Sequence, residues 1–339
     1  MTAPPSDHRD VNHEQHRRQA GATHALLNAV MPTLHANGLR IAFDTAGDAK
    51  AAPLLLIHGL GMQLTNWPDE FVEGLVELGF YVIRFDHRDS GLSTKFEQAG
   101  TPNLALARVK AALGWPPRSP YGIDDMAADA LGVLSALGVA RAHLVGVSAL
   151  GGMVAQQLAA RHPQRLLTLT SIMSTSGRRA LPGPSATVRK ALASGPADPA
   201  DLDSLINHAV GQLRLLGSPS YPTPDRQLRK RVTRSMRRCY CPGGSARQML
   251  ALLAAGDRSA LLPAIAAPTL VIHGAADPLL PAACGQDVAR RIEGARLEII
   301  EGMGHDLPPQ LVERILALID SHARGKMLPN STPRLFVKQ

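Results

Sequence analysis

The sequence contains little cysteine and no long hydrophobic run. Its three cysteines, Cys239, Cys241 and Cys284, are too few and too unevenly spaced for a disulfide framework. Cys239 and Cys241 could form one half of a metal site, but no second pair of ligands completes it. No apolar run approaches the ~20 residues that span a bilayer. The first 21 residues lack the apolar central region of a secretory signal. We therefore expect a cytoplasmic protein with no metal, no other cofactor and no membrane partner.

Aromatic residues are also scarce, at 4% of the 339 residues, whereas hydrophobic residues reach 45%. The core should thus consist mainly of Leu, Val, Ala and Ile. A chain of this length can bury a large core, either as one α/β domain or as one domain with an insertion. Residues 1–30 are polar, rich in His and without periodicity, which predicts a disordered N-terminal tail, and residues 324–339 are predicted to form a loose C-terminal tail.

Acidic residues are rare in one stretch, and this explains the net charge of +8. The stretch from Arg178 to Arg247 contains thirteen Lys and Arg residues but only four Asp residues, so its net charge is +9. The rest of the chain is nearly neutral. A basic face can bind nucleic acid or steer an anionic substrate. The basic residues of 229–238 recur at helical spacing without interleaved aromatic residues. This pattern favours a solvated helix face, so we expect no nucleic-acid partner, and we leave a homodimer open.

The chain alternates apolar runs with helical patterns, which predicts an α/β fold with a mostly parallel, doubly wound sheet. Asn37-Gly38 predicts the turn of an N-terminal hairpin. From about 174 to 262 the sequence has helical patterns and Pro/Gly-rich joints but no strand, so we predict a helical cap at 174–262 that acts as a lid. The core is then 31–173 and 263–323. Its predicted buried strands cover 53–57, 81–85, 143–147, 166–172, 268–272 and 295–300.

Ser148 lies between a predicted strand and a predicted helix. A sharp strand-to-helix turn at this point would expose its hydroxyl and aim backbone amides at it, which is how a nucleophilic serine is presented. Asp277 follows the predicted strand 268–272, and His305 follows the predicted strand 295–300. The three residues come just after parallel strands, so they should meet at one edge of the sheet. The order Ser, Asp, His is the one that α/β-hydrolases use.

An oxyanion hole needs two backbone N–H groups close to the nucleophile. We predict that one belongs to Ala149, directly after Ser148, and the other to Leu60, in the loop after the strand 53–57. Met62, in the same loop, and Trp67, a few residues after it, are predicted to line the substrate pocket. We expect His58 and Asp86, at strand ends, to have structural roles.

The sequence resembles the α/β-hydrolase family from about Pro32 to His322. Within the family, the DHRDSG and GMGHDLP segments look most like small-ester hydrolases akin to aclacinomycin methylesterase. The resemblance implies that Ser148, Asp277 and His305 are a catalytic triad, and that the insertion is a cap that shapes the acyl and alcohol pockets. The matching segments are HGLGM at 58–62, FDHRDSGLS at 85–93, LVGVSALGGMVAQ at 144–156, HGAADPLLP at 273–281 and GMGHDLP at 302–308.

The primary hypothesis is a serine carboxylic-ester hydrolase that forms an acyl-enzyme with a small or medium ester. Perhydrolase, thioesterase, lactonase and C–C hydrolase activities use the same triad and stay open. A dehalogenase or epoxide hydrolase is disfavoured, because it would need a carboxylate in place of Ser148. A non-catalytic or impaired binding protein is the alternative from another class. It arises because the pattern G-x-S-x-G would put glycine at position 150, where the chain has Leu150, and the glycine comes one residue late at Gly151.

Overall fold

In the computed structural model, which describes residues 31–326, eight strands form one sheet. In chain order they are β1 (Thr33–Ala36), β2 (Leu39–Ala46), β3 (Ala52–Ile57), β4 (Phe80–Phe85), β5 (Ala142–Val147), β6 (Leu166–Ile172), β7 (Thr269–Gly274) and β8 (Arg296–Ile300). Across the sheet the order is β1-β2-β4-β3-β5-β6-β7-β8. The pairs β1–β2 and β2–β4 are antiparallel, and all others are parallel. The predicted mostly parallel sheet is confirmed.

The N-terminal hairpin forms at the predicted turn. Ala36 pairs with Leu39, which leaves Asn37 and Gly38 as a two-residue connection. Both have positive φ, +49° and +74°, as a type I′ turn requires. The predicted N-terminal tail, and residues 327–339 of the predicted C-terminal tail, lie outside the described residues.

Helices cover both faces of the sheet. Within the described residues they are α1 (Asp69–Glu77), α2 (Leu104–Ala112), α3 (Ile123–Ala136), α4 (Ser148–Arg161), α5 (Ala186–Ala193), α6 (Leu202–Leu216), α7 (Asp225–Arg238), α8 (Pro242–Ala255), α9 (Ala283–Arg291) and α10 (Val312–Ala323). Leu55 and Ile57 of β3 belong to the apolar cluster that α3, α4 and α9 cover. Leu54 and Leu56 belong to the opposite cluster, with α1 and α10. Successive residues of a strand point to opposite faces, so a strand buried on both sides is continuously apolar.

The insertion between β6 and β7 contains helices α5 to α8 and no strand among its residues, all of which the structure describes. Helices α6 and α7 share a small apolar cluster of their own, formed by Ile206, Val210, Leu228 and Val232. Helix α8 differs, because its Ala251 belongs to the main core. The last helix of the insertion is therefore packed on the sheet domain.

The basic face of α7 is solvated only in part. Arg229 is exposed as expected, but Arg234 donates to Asp69 and Arg238 lies 2.7 Å from Asp86, whose side chain is fully buried. An ion pair that is removed from water contributes to stability only when its geometry is good and the remaining hydrogen bonds are satisfied. On the acidic side, Asp86 also accepts from the backbone N–H groups of Leu64 and Leu92, so both of its oxygens have hydrogen-bond donors. Part of the basic cluster thus joins the insertion to the sheet domain.

Several buried histidines make stability depend on pH. Burial lowers the pKa of His143 from 6.5 to about 4, with the nearby His322 and Arg324 acting in the same direction. As pH falls below 6.5 the unfolded state therefore binds a proton that the folded state does not, so stability falls until about pH 4. Burial likewise lowers the pKa values of four other histidines: His58, His87, His273 and His322.

We expect the free energy of unfolding, measured with urea, to decrease steadily from pH 7 to pH 4.5. The variant His143→Gln should lose part of this dependence, since one proton fewer is taken up on unfolding. The informative quantity is the difference between the wild-type and variant slopes. Equal slopes over this range would contradict the assignment of His143.

Candidate active site

The turn at Ser148 has an unusual backbone conformation. Ser148 has φ +63°, in the left-handed region that non-glycine residues seldom occupy. Such a conformation costs about 1–3 kcal/mol and persists where the surrounding structure holds it in place. Here β5 ends at Val147 and α4 begins at Ser148, so the strained residue joins the strand to the helix directly. This is the geometry of a nucleophile elbow.

Helix α4 accommodates Gly151, which comes one residue later than the glycine of the G-x-S-x-G pattern. Leu150 is fully buried and belongs to the main apolar cluster, so its side chain fills the core and does not crowd the elbow. Gly151 makes the close approach instead. A Cβ atom at Gly151 would lie 2.3 Å from the carbonyl oxygen of Ile57 and 2.6 Å from that of His58. The requirement for glycine, where the helix passes β3, has thus moved by one position.

The structure brings together the three residues that were predicted to form a triad. The Ser148 Oγ atom lies 2.8 Å from His305 Nε2, and His305 Nδ1 lies 2.7 Å from Asp277 Oδ2. These contacts form one continuous chain from hydroxyl to imidazole to carboxylate. The spacing is that of a nucleophile, a base and the group that orients the base.

Asp277 is held rigidly in this chain. Its side chain is fully buried, and its Oδ1 atom accepts from the backbone N–H groups of Leu279 and Leu280, at 2.9 and 2.8 Å. The Oδ2 atom therefore stays directed at His305. Two backbone donors thus fix the position of the carboxylate beside the imidazole.

The two backbone amides that were predicted to form an oxyanion hole have no hydrogen-bond acceptor among residues 31–326, and their role stays a prediction. Ala149 is the second residue of α4, so its N–H has no partner within the helix. Leu60 lies in the loop after β3, and within residues 31–326 neither of these two amides donates a hydrogen bond. The next N–H of the loop, that of Gly61, is occupied by Gln248 Oε1 at 2.8 Å.

The two residues that were predicted to line the pocket have different environments. Trp67 is 3% exposed and stacks on Phe71 with 5.5 Å between the ring centroids, in the core cluster on the α1 side of the sheet. Met62 is half-buried, and its carbonyl oxygen accepts from the Ser90 hydroxyl. The pocket role of both residues stays a prediction.

The insertion supplies contacts to the His305 loop that the sequence analysis missed. The N–H of His305 donates to the Leu216 carbonyl oxygen at 2.7 Å, and the N–H of Gly304 donates to Ser218 Oγ at 2.8 Å. The Ser218 hydroxyl donates to Asp306. Burial raises the pKa of Asp306, while hydrogen bonds from Ser218 and Thr223 act against this shift. No motif marks these residues, because they lie at the end of α6 or just after it, and Ser218 is 86 and 88 residues away from its two partners in the sequence.

Among residues 31–326, no group of three or more His, Cys, Asp or Glu side chains is arranged to hold a metal ion. No helix in that part of the chain combines the length and apolar character that crossing a membrane requires.

The sheet order, the strained serine and the chain of contacts through His305 to Asp277 define an esterase-like hydrolase with the α/β-hydrolase fold. Sequence comparison agrees with this class. The model of the alpha/beta hydrolase fold family matches residues 52–309, and the chain belongs to this family.

Its relatives extend the comparison to most of the chain. Rhodomycin D methylesterase of Streptomyces peucetius is 35% identical over 300 residues, which cover 82% of this chain and 93% of the relative. The enzyme of the same name from Streptomyces sp. strain C5 is 34% identical over 299 residues, with the same coverage. Among solved structures, a meta-cleavage product hydrolase from Pseudomonas fluorescens superposes with a TM-score of 0.67 at 20% identity, covering 87% of this chain and 97% of that one. This last likeness shows the fold alone.

Proposed function

We propose that the protein is a serine carboxylic-ester hydrolase in which Ser148, His305 and Asp277 form the catalytic triad. The observation that carries the proposal is the contact of 2.8 Å between Ser148 Oγ and His305 Nε2, on a serine with a strained left-handed backbone. A turn serine that served only the fold would need neither the strain nor the imidazole.

In the proposed acylation step, Ser148 Oγ attacks the carbonyl carbon of the ester while His305 Nε2 takes the hydroxyl proton. Asp277 holds Nδ1–H, so that Nε2 is free to accept this proton, and it stabilises the imidazolium that forms. The N–H groups of Leu60 and Ala149 donate to the developing oxyanion, each contributing about 3–4 kcal/mol in the transition state. The C–O bond to the alcohol then breaks, and His305 returns its proton to the departing oxygen.

Deacylation repeats these steps with water in place of serine. His305 takes a proton from the water molecule, whose oxygen attacks the acyl carbon. The bond between Ser148 Oγ and the acyl group breaks, Oγ regains the proton from His305, and the carboxylic acid leaves. No redox partner or metal takes part in this sequence.

For the substrate, we propose a methyl ester of a larger carboxylic acid. The two relatives that are 35% and 34% identical over most of the chain are named as methylesterases, which supports a small alcohol group on the ester. Thioesterase, lactonase, perhydrolase and C–C hydrolase activities would use the same residues. A panel of esters graded by alcohol and acyl size, with thioesters and lactones beside them, ranks these activities by kcat/KM.

The alternative hypothesis of a non-catalytic binding protein is based on the displacement of the glycine from position 150 to Gly151. The buried Leu150 and the close approach of Gly151 to Ile57 argue against it, because this elbow exposes a serine within reach of an imidazole. A collapsed elbow would have separated the two groups.

Labelling with a fluorophosphonate probe tests the nucleophile. We expect stoichiometric labelling of the wild-type protein on Ser148, and none of the Ser148→Ala variant, because only an activated serine attacks the phosphorus atom rapidly. The matched control is Ser174→Ala, which removes a buried serine just after the carboxyl end of β6, outside the triad. Its labelling should equal that of the wild type. Labelling of another residue, or no labelling, would reject the proposed function.

A further inference from the structure

One turn of α8, residues 244–248, lies against the loop that carries the Leu60 amide. Gln248 is fully buried, and its two amide atoms are both used. The Oε1 atom accepts from the N–H of Gly61, and the Nε2 atom donates to the carbonyl oxygen of Arg88, each at 2.8 Å. A residue of the insertion therefore joins the loop after β3 to the loop after β4.

The contact between α8 and this loop is direct. Gly61 has φ +70°, and a Cβ atom at this position would lie 2.8 Å from Ser245 Oγ. The Gly61 N–H belongs to the peptide group that follows Leu60. Since a peptide group is planar, a hydrogen bond that holds the Gly61 N–H also holds the carbonyl group and the Cα atom of Leu60. The free Leu60 N–H is attached next to that Cα atom, so only the two backbone rotations of Leu60 separate it from the held peptide group.

Helix α8 is itself firmly anchored. The Arg247 guanidinium makes two hydrogen bonds to Asp89, at 2.7 and 2.8 Å, and both side chains are almost fully buried. Asp89 also accepts from the Tyr121 hydroxyl at 2.7 Å. A bidentate pair of this kind restricts both position and rotation. Gln248, one residue further along the helix, is thus held at a set distance from Gly61.

We propose that Gln248 is a positioning residue for the oxyanion hole. It acts through the Leu60–Gly61 peptide and keeps the Leu60 N–H directed at the carbonyl oxygen of the substrate in the transition state. It also occupies the Gly61 N–H, so that Leu60 is the donor from this loop. This inference rests on the proposed ester hydrolysis. The insertion then acts as a fixed support for the catalytic loops, in addition to covering them.

The test is Gln248→Met, which removes both hydrogen bonds at similar side-chain size. Loss of one oxyanion donor costs about 10²–10³ in kcat, and a donor that is misdirected should cost somewhat less. We expect kcat for p-nitrophenyl acetate to fall by about 10- to 100-fold, with KM changed less than about threefold, because the bond serves the transition state more than the bound substrate. Affinity for a boronic acid inhibitor should fall by a similar factor.

Rescue by Gln248→Glu separates positioning from a packing role. A buried glutamic acid is favoured in its protonated form, in which it accepts from Gly61 and donates to Arg88 as glutamine does. We expect its kcat to stay within about fivefold of the wild type. Should the methionine variant fail to fold, Gln248→Asn replaces it, since its shorter side chain stays polar but ends too far from Gly61.

The matched control is Gln156→Met. Gln156 is also fully buried, but its partners are Ser171 and Arg258, with no contact to the oxyanion loop. This variant should lower the Tm to a similar extent and leave kcat unchanged. The inference is overturned if Gln248→Met, or its asparagine replacement, keeps wild-type kcat while Ser148→Ala is inactive, or if the glutamate and methionine variants lose kcat equally. If Ser148→Ala remains fully active, the proposed function itself fails.

Discussion

Replacement of Ser148 by alanine should lower kcat for p-nitrophenyl acetate by about 10⁴- to 10⁶-fold, with the fold intact. The hydroxyl is the proposed attacking group, and its partner His305 lies 2.8 Å away with no second base in the chain of contacts. The His305→Ala variant should lose a similar factor. Because the two residues act as a unit, the double variant should be little worse than either single one. Circular dichroism and thermal unfolding show whether each variant is folded.

The Asp277→Asn variant belongs to the same experiment. An amide at this position can donate to His305 Nδ1 and so favours the wrong tautomer, which costs about 10⁴-fold in kcat although the geometry is kept. Activity of all these variants at the wild-type level would mean that these residues do not catalyse the hydrolysis. A loss in the serine variant alone would retain the nucleophile but reject the assigned base.

The second large effect that we predict concerns Gly151, the glycine that is displaced by one residue from the G-x-S-x-G pattern. In Gly151→Ala, the new methyl group would lie 2.3 Å from the backbone oxygen of Ile57, so α4 has to move away from β3. Ser148 begins that helix and would shift with it. A displacement of 1 Å can cost about 100-fold in rate, and we expect at least this loss in kcat. The free energy of unfolding should fall as well.

Leu150→Ala is the matched control, because it changes the neighbouring residue by a different mechanism. It removes a fully buried side chain and leaves a cavity, which should lower the free energy of unfolding by about 2–5 kcal/mol. Its kcat should stay within a few-fold of the wild type, since no atom is pushed against β3. Urea unfolding and steady-state kinetics measure the two effects separately. If Leu150→Ala lost activity and Gly151→Ala kept it, the description of the elbow would be wrong.

The sheet could be predicted from local patterns because both of its faces are covered. A strand such as 53–57 is buried on both sides, so its sequence is continuously apolar and easily recognised. Helix α2 was missed for the opposite reason. Its Leu106 and Val109 are more than half exposed, and Ala107 is its one buried residue, so its apolar residues do not mark an inward face.

The acidic and basic residues show where sequence reasoning was incomplete. The spacing of the α7 cations predicts a helix, and a helix forms there. Which cations are solvated depends on what faces the helix in space, and Arg234 and Arg238 meet Asp69 and Asp86, more than 150 residues earlier. Such pairs cannot be deduced from spacing along the chain.

For this protein, the local sequence alone was enough to predict the class of fold and the candidates Ser148, Asp277 and His305, because strand periodicity and the residues directly after strands are local properties. Tertiary structure decided how the displaced glycine is accommodated, that Gln248 of the insertion accepts from the Gly61 N–H in the loop after β3, and that Ser218 of the insertion accepts from the Gly304 N–H in the loop after β8. Each of these depends on distances of 2–3 Å between segments that are far apart in the chain. Close packing sets such distances, and no periodicity records them.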